Sequence, residues 1–123
     1  MKLGNNEVQL TKIVEKMGLV NLTPQIDTDT KYVTQPDVNR PALQLAGFYD
    51  HFDNERVQII GYVEEAYIET LDRETRVQRY RQLMESNIPC LIFCRSQQPD
   101  QDLLEIALKY EIPLLSSDAS TSS

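Results

Sequence analysis

Tryptophan is absent from this 123-residue sequence, histidine occurs once, cysteine twice and glycine four times. Each scarcity excludes something. Gly4, Gly18, Gly47 and Gly61 are too dispersed to form a loop that cradles phosphate. His51 stands alone in Tyr49-Asp50-His51-Phe52-Asp53, with no nucleophile–base arrangement around it. No apolar run approaches the roughly 18 residues of a membrane-spanning helix. Met1 to Asn6 lacks the apolar stretch of a signal peptide. Basic residues are also in the minority, 12 against 19 acidic, for a net charge of −7. Such a surface repels phosphate backbones and anionic lipid, so neither nucleic acid nor membrane is an expected partner. A cytoplasmic protein is expected.

The two cysteines lie in Pro89-Cys90-Leu91-Ile92-Phe93-Cys94, a short apolar run that reads as a buried strand. In a strand they share one face but stand about 13 Å apart at about 3.3 Å per residue. A disulfide bridges Cα atoms no more than about 7 Å apart. Two thiols also fall short of a zinc site. Buried free thiols are expected.

What is present is enough for one domain, with 41 % hydrophobic residues to fill a core. Leu10, Ile13, Val14 and Met17 form a helical stripe that Gly18 can end. Lys31 to Thr34 has strand character, stopped by Pro36. Asp37-Val38-Asn39-Arg40-Pro41 opens a short helix, Ala42 to Ala46, closed by Gly47. Arg56 to Gly61 reads as a strand. Helices follow over Glu64 to Leu71 and from about Asp72 to Ser86, with Asp72 as a cap. After the Cys90–Cys94 strand, Pro99 and Asp100 introduce a helix whose inner face carries Leu103, Ile106, Ala107 and Tyr110. Ile112 to Leu115 is the last strand. This alternation predicts an α/β fold of three layers, α/β/α, with a mainly parallel or mixed sheet. Residues 116–123, Ser/Thr-rich, are expected to form a flexible tail leading to a further domain outside this sequence.

Chemistry-bearing residues are few. Asp50, His51 and Asp53 make a weak metal motif, better read as a solvated loop, and no metal site is expected. Glu64 and Glu65 fit the dipole of a helix start. Asp102 and Glu105 read as the wet face of the last helix. The Asp37–Pro41 segment leaves two readings open. Arg40 and free helix amides, with Asp37 and Asn39, would suit an anionic ligand. Turn chemistry explains the same residues: Asn39 or Arg40 as cap, Pro41 in the first turn, Asp37 bonding local amides. No catalytic residue is evident.

Asp37-Val38-Asn39-Arg40-Pro41-Ala42-Leu43-Gln44-Leu45-Ala46-Gly47-Phe48-Tyr49, continuing into Arg56-Val57-Gln58-Ile59-Ile60-Gly61, closely resembles the N-terminal domain of HPr kinase/phosphorylase. That family's version runs approximately D-I-S-R-P-G-L-E-L-A-G-Y-F, a short spacer, then R-I-Q-L-L-G. Asn39 stands for the usual Ser and Ala42 for the usual Gly. Asn87 to Phe93 resembles N-I-P-C-I-I-V, and Glu111 to Leu115 resembles N-I-P-L-L. Ser96-Gln97-Gln98-Pro99 departs from the common R-G-L-x-P-P. The likeness spans about residues 8 to 121 in order, so residues 1–115 are assigned to such a domain.

The resemblance implies a bacterial, cytoplasmic parent that phosphorylates a serine of HPr with ATP or pyrophosphate, and removes that phosphate by phosphorolysis. HPr is a carrier of the sugar phosphotransferase system, and the switch serves carbon catabolite repression. The P-loop, its Mg and the HPr-docking surface belong to the C-terminal kinase domain, which would be this domain's partner in a homohexamer. No catalytic residue and no cofactor carries over to this sequence. The fold is expected to resemble the UDP-binding N-terminal domain of Mur ligases. Three roles follow: an accessory or regulatory module, a sensor of a nucleotide, UDP-sugar or phosphorylated metabolite at Asp37, Asn39 and Arg40, or an autonomous enzyme.

Overall fold

The computed structural model describes residues 7–119. The predicted absence of a signal segment at residues 1–6 and the end of the predicted tail, 120–123, lie outside them. Strand β1 (Val8–Gln9) runs into helix α1 (Leu10–Met17), then β2 (Val20–Asn21). A 3-10 turn at Thr28–Thr30 precedes β3 (Tyr32–Val33) and β4 (Val38–Asn39). Next come α2 (Ala42–Leu45), β5 (Val57–Ile60), α3 (Tyr62–Glu69) and α4 (Arg73–Glu85). The chain continues through β6 (Leu91–Phe93), α5 (Gln101–Tyr110) and β7 (Leu114–Ser116).

Five strands form one mixed sheet in the order β2-β7-β6-β5-β4. The four from β4 to β7 are parallel, and β2 joins antiparallel to β7. One face packs against α2 to α5 through Leu45, Ile60, Ile68, Leu83, Phe93 and Leu114. The opposite face packs Cys90, Ile92, Val57 and Leu115 against Leu10 and Leu19. The expected three layers are therefore present.

Local chemistry explains most of the boundaries. Gly18 ends α1 at φ +64, a conformation that costs glycine little. Asp72 accepts from the Thr75 amide at 2.8 Å, and Asp100 from the Leu103 amide at 2.9 Å, so both cap their helices. Arg73 and Arg76 of α4 bond Asp102 of α5, which makes Asp102 a tie between helices rather than part of the wet face.

The strand expected over Lys31 to Thr34 is present at Tyr32–Val33, where it pairs with β1 in a separate two-stranded sheet. Three expectations need correction. Met17 is exposed, so the α1 stripe is buried at Leu10, half-buried at Ile13 and Val14, and ends there. Val38–Asn39, read as the approach to a helix, is the parallel edge strand beside Val57–Gln58. A two-residue strand within the four residues between Pro36 and Pro41 is too short to show a period of two, and pairing with β5 decides its state. Ser116, placed in the flexible tail, is buried at the end of β7 opposite Phe93 and Val20. The order extends past it: the Ser117 amide donates to Phe93 O, and Ser117 O accepts from the Ser96 amide, both at 2.8 Å.

Both cysteines are free and buried, flanking β6. Burial pushes the Cys90 thiol up to about 12. Against a free thiol, such a value leaves on the order of 1000-fold less thiolate at neutral pH. Burial also raises Cys94, but the charges of Arg40 and Arg95 oppose it. Alkylation of the folded protein, followed by mass spectrometry, should therefore modify Cys94 before Cys90, and both far more slowly than in urea. Rapid native modification of Cys90 would contradict its place in the core.

Candidate functional site

The carboxyl ends of the parallel strands bring Arg40, Gly61 and Cys94 to one edge of the sheet, just after β4, β5 and β6. Glu64, in the first turn of α3, lies beneath them with 2 % of its side chain exposed. Its Oε1 accepts the Gly61 amide at 2.7 Å and Arg40 Nη2 at 2.9 Å. One carboxylate thus satisfies a free amide of the helix start and neutralises a cation from the neighbouring strand. The Arg40 side chain stays 41 % exposed, so the pair is desolvated on one side only.

Asn39 points into a carboxamide network. Its Nδ2 donates to Gln58 Oε1 at 2.7 Å and to Gln44 Oε1 at 3.1 Å. Gln58 and Gln44 are themselves buried, and donate to Arg56 O and Phe48 O. Asp37 is exposed and makes no hydrogen bond or ion pair among the described residues. The structure therefore brings Asn39 and Arg40 into two internal networks and leaves Asp37 apart. The cap of α2 is Pro41, not Asn39 or Arg40, and it makes no side-chain cap bond. Gly47, just past α2, holds φ +96 with the Arg79 guanidinium 3.5 Å from where a Cβ would sit. Arg79 Nη1 bonds Leu45 O at 2.7 Å, which stitches the end of α2 to α4.

Sequence reasoning missed the partner of Arg40, which lies 24 positions away. It also missed Arg95 and Ser96, consecutive left-handed residues at φ +55 and +56. Neither is glycine, so each conformation costs about 1–2 kcal/mol. Bonds from the Arg95 amide to Ala119 O and from the Ser96 amide to Ser117 O hold the turn. Its result is an Arg95 guanidinium 4.8 Å from the Tyr62 ring centroid, a cation–π contact at the start of α3. Glu65 beside it is raised by burial and by Glu69 and Asp100. Together with Tyr62, Glu69 and Gln98 it lines an open cleft of about 470 Å³. Asp53 of the loop motif pairs with Arg56 at 3.4 Å, and His51 is exposed. No group of three metal-ligating side chains is brought together among the described residues.

Strand ends that gather two arginines, a buried carboxylate and a capped helix define an α/β domain whose polar residues mostly serve its own architecture. The chain belongs to the family described as HPr Serine kinase N terminus, whose pattern matches residues 8–123. It is 47 % identical over 116 residues to the HPr kinase/phosphorylase of Lachnoclostridium phytofermentans, covering 94 % of this chain and 38 % of that protein. The enzyme of Caldicellulosiruptor bescii is 40 % identical over 104 residues, 85 % of this chain and 33 % of that protein. That of Alkaliphilus metalliredigens is 40 % identical over 114 residues, with 93 % and 37 % covered. The chain thus spans 33 % to 38 % of the length of these relatives. A solved structure of the CBS and DRTGG domains from the regulatory region of Clostridium perfringens pyrophosphatase, complexed with its activator diadenosine tetraphosphate, shares the fold. Its TM-score is 0.60 at 16 % identity, covering 93 % of this chain and 43 % of that one.

The Arg40–Glu64 pair makes a prediction about stability. Arg40→Ala leaves Glu64 with the Gly61 amide alone and should lower the unfolding free energy by about 1–3 kcal/mol, between exposed and buried pairs. Glu64→Ala removes both bonds and should cost more. Asp37→Ala should stay within about 0.5 kcal/mol. Urea denaturation measures all three. A larger loss for Asp37→Ala than for Arg40→Ala would reverse the assignment.

Proposed function

We propose that this domain is the non-catalytic accessory module of an HPr kinase/phosphorylase. The full-length enzyme would transfer phosphate from ATP or pyrophosphate, with Mg, to a serine of HPr and remove it again, in control of the phosphotransferase system and carbon catabolite repression. That chemistry would belong to the C-terminal kinase domain, in a cytoplasmic homohexamer. The observation that carries this reading is coverage: the chain matches its relatives along nearly all of its own length but about a third of theirs. Its sequence has no glycine-rich phosphate loop, and phosphoryl transfer depends almost wholly on positioning and charge stabilisation. The internal use of Arg40, Asn39 and Glu64 agrees with a structural rather than catalytic role.

One observation favours a sensor as the second reading. Arg40 spends one donor on Glu64 and keeps the rest of its guanidinium exposed, with the side chain 41 % accessible. An anionic metabolite there would raise the midpoint of thermal unfolding, because it would bind the folded state alone. A screen of nucleotides, UDP-sugars and sugar phosphates distinguishes the two readings.

The test of the main reading is phosphorylation of HPr by three proteins: the full-length enzyme, the enzyme without this domain, and the 123-residue chain. We expect no transfer by the chain alone, and retained chemistry with a several-fold altered rate after deletion. Stoichiometric transfer by the chain alone would overturn the reading, as would deletion without any effect on rate.

A further inference from the structure

Four large apolar side chains stand unburied on α2, on the turn after it and on the first turn of α3. Leu43 is 60 % exposed, Phe48 49 %, Tyr62 62 % and Val63 64 %. Leu43 belongs to α2, and the Phe48 amide bonds Leu43 O at 2.9 Å just beyond it. Tyr62 and Val63 open α3, which packs on α2 and is tied to the approach to α2 by Arg40 and Glu64. The first turn of α3 therefore points apolar residues at solvent where an isolated domain would favour polar ones.

The described chain ends close to the first turn of α3. Ser117 and Ala119 bond the amides of Ser96 and Arg95, and the Arg95 side chain lies over Tyr62. At residue 119 the described chain thus lies beside Arg95, at the Tyr62 end of this patch. The relatives are more than twice as long as the matched region, so they carry a large body of chain to place there. Arg95 makes no ion pair among the described residues, which leaves a cation at the rim for a carboxylate of the incoming surface.

We propose that Leu43, Phe48, Tyr62 and Val63 form the docking surface for the polypeptide that follows this domain in the full-length protein. The inference rests on the accessory reading, since it supplies the surface through which that module would meet the catalytic part. The occupant presents an apolar centre to the four side chains and an acidic residue to Arg95. Tyr62, with a ring that is apolar in body and already held by Arg95, is the anchor.

Hydroxyl-radical footprinting of the full-length protein and of the 123-residue chain tests this. Oxidation of Phe48 and Tyr62 should be several-fold slower in the full-length protein. Met17 and Tyr32, exposed at 66 % and 50 % on other elements, should react equally in both. Val63→Asp, at an exposed position, should return Tyr62 in the full-length protein to the rate seen in the short chain. Equal rates for Tyr62 and Phe48 in the two unmutated proteins would overturn the proposal. So would protection that appears in the short chain as its concentration rises, because a second copy would then be the occupant. Protection in the full-length protein, with HPr phosphorylation indifferent to deletion of the domain, would uphold the docking surface and reject the accessory role. Altered phosphorylation without protection would do the reverse.

Discussion

A carboxylate taken out of water must find partners, and Glu64 finds two that come from different strands' ends. Its position beneath Gly61 fixes where α3 starts. Its bond to Arg40 fixes where the chain leaves β4 before turning into α2. These two departures set the spacing of the α layer over the sheet. The neighbouring Asn39–Gln58–Gln44 network does the same for the two-residue edge strand, which has few ladder bonds of its own. Side-chain hydrogen bonds thus hold β4 where backbone pairing is short.

The strand order follows the chain from β4 to β7, with α2, then α3 and α4, then α5 in the connections. All these helices lie on one face, as repeated crossovers of one hand require. Because the order never reverses along these four strands, the sheet lacks the crevice that a reversal opens for ligands in doubly wound folds. The opposite face must be covered by other means, and α1 with its flanking loops does this through Leu10, Leu19 and Val33.

Much of this was legible in the sequence where one residue decides one local event. Asp72 and Asp100 announce helix starts, Gly18 an end, and the apolar run around Ile92 a central strand. Burial on both faces explains why that run shows no alternation. Within the Asp37–Tyr49 segment that carries the family resemblance, Asn39, Arg40, Gln44 and Leu45 have architectural tasks, whereas Asp37, Leu43 and Phe48 face solvent. The partner of Arg40 was not legible, since Glu64 and Glu65 look alike in sequence and only α3's rotation over β5 selects one. Val38–Asn39 and Ser116 were misread for a related reason. Their state is decided by strands far away in the chain, and polar or very short segments give no periodic signal of that.

The antiparallel seam between β2 and β7 joins the two ends of the described chain. Val20 faces Ser116, and the hydroxyl of Thr23, wholly buried, accepts the Leu114 amide across a separation of 91 residues. Closing so long a loop is entropically slow, and only the most distant contacts reward it. During synthesis, α1 and the first small sheet emerge early but cannot complete their side of the core until β7 is available. The domain therefore commits to its fold only when its last strand arrives, and until then β6 presents an unpaired edge of Leu91, Ile92 and Phe93.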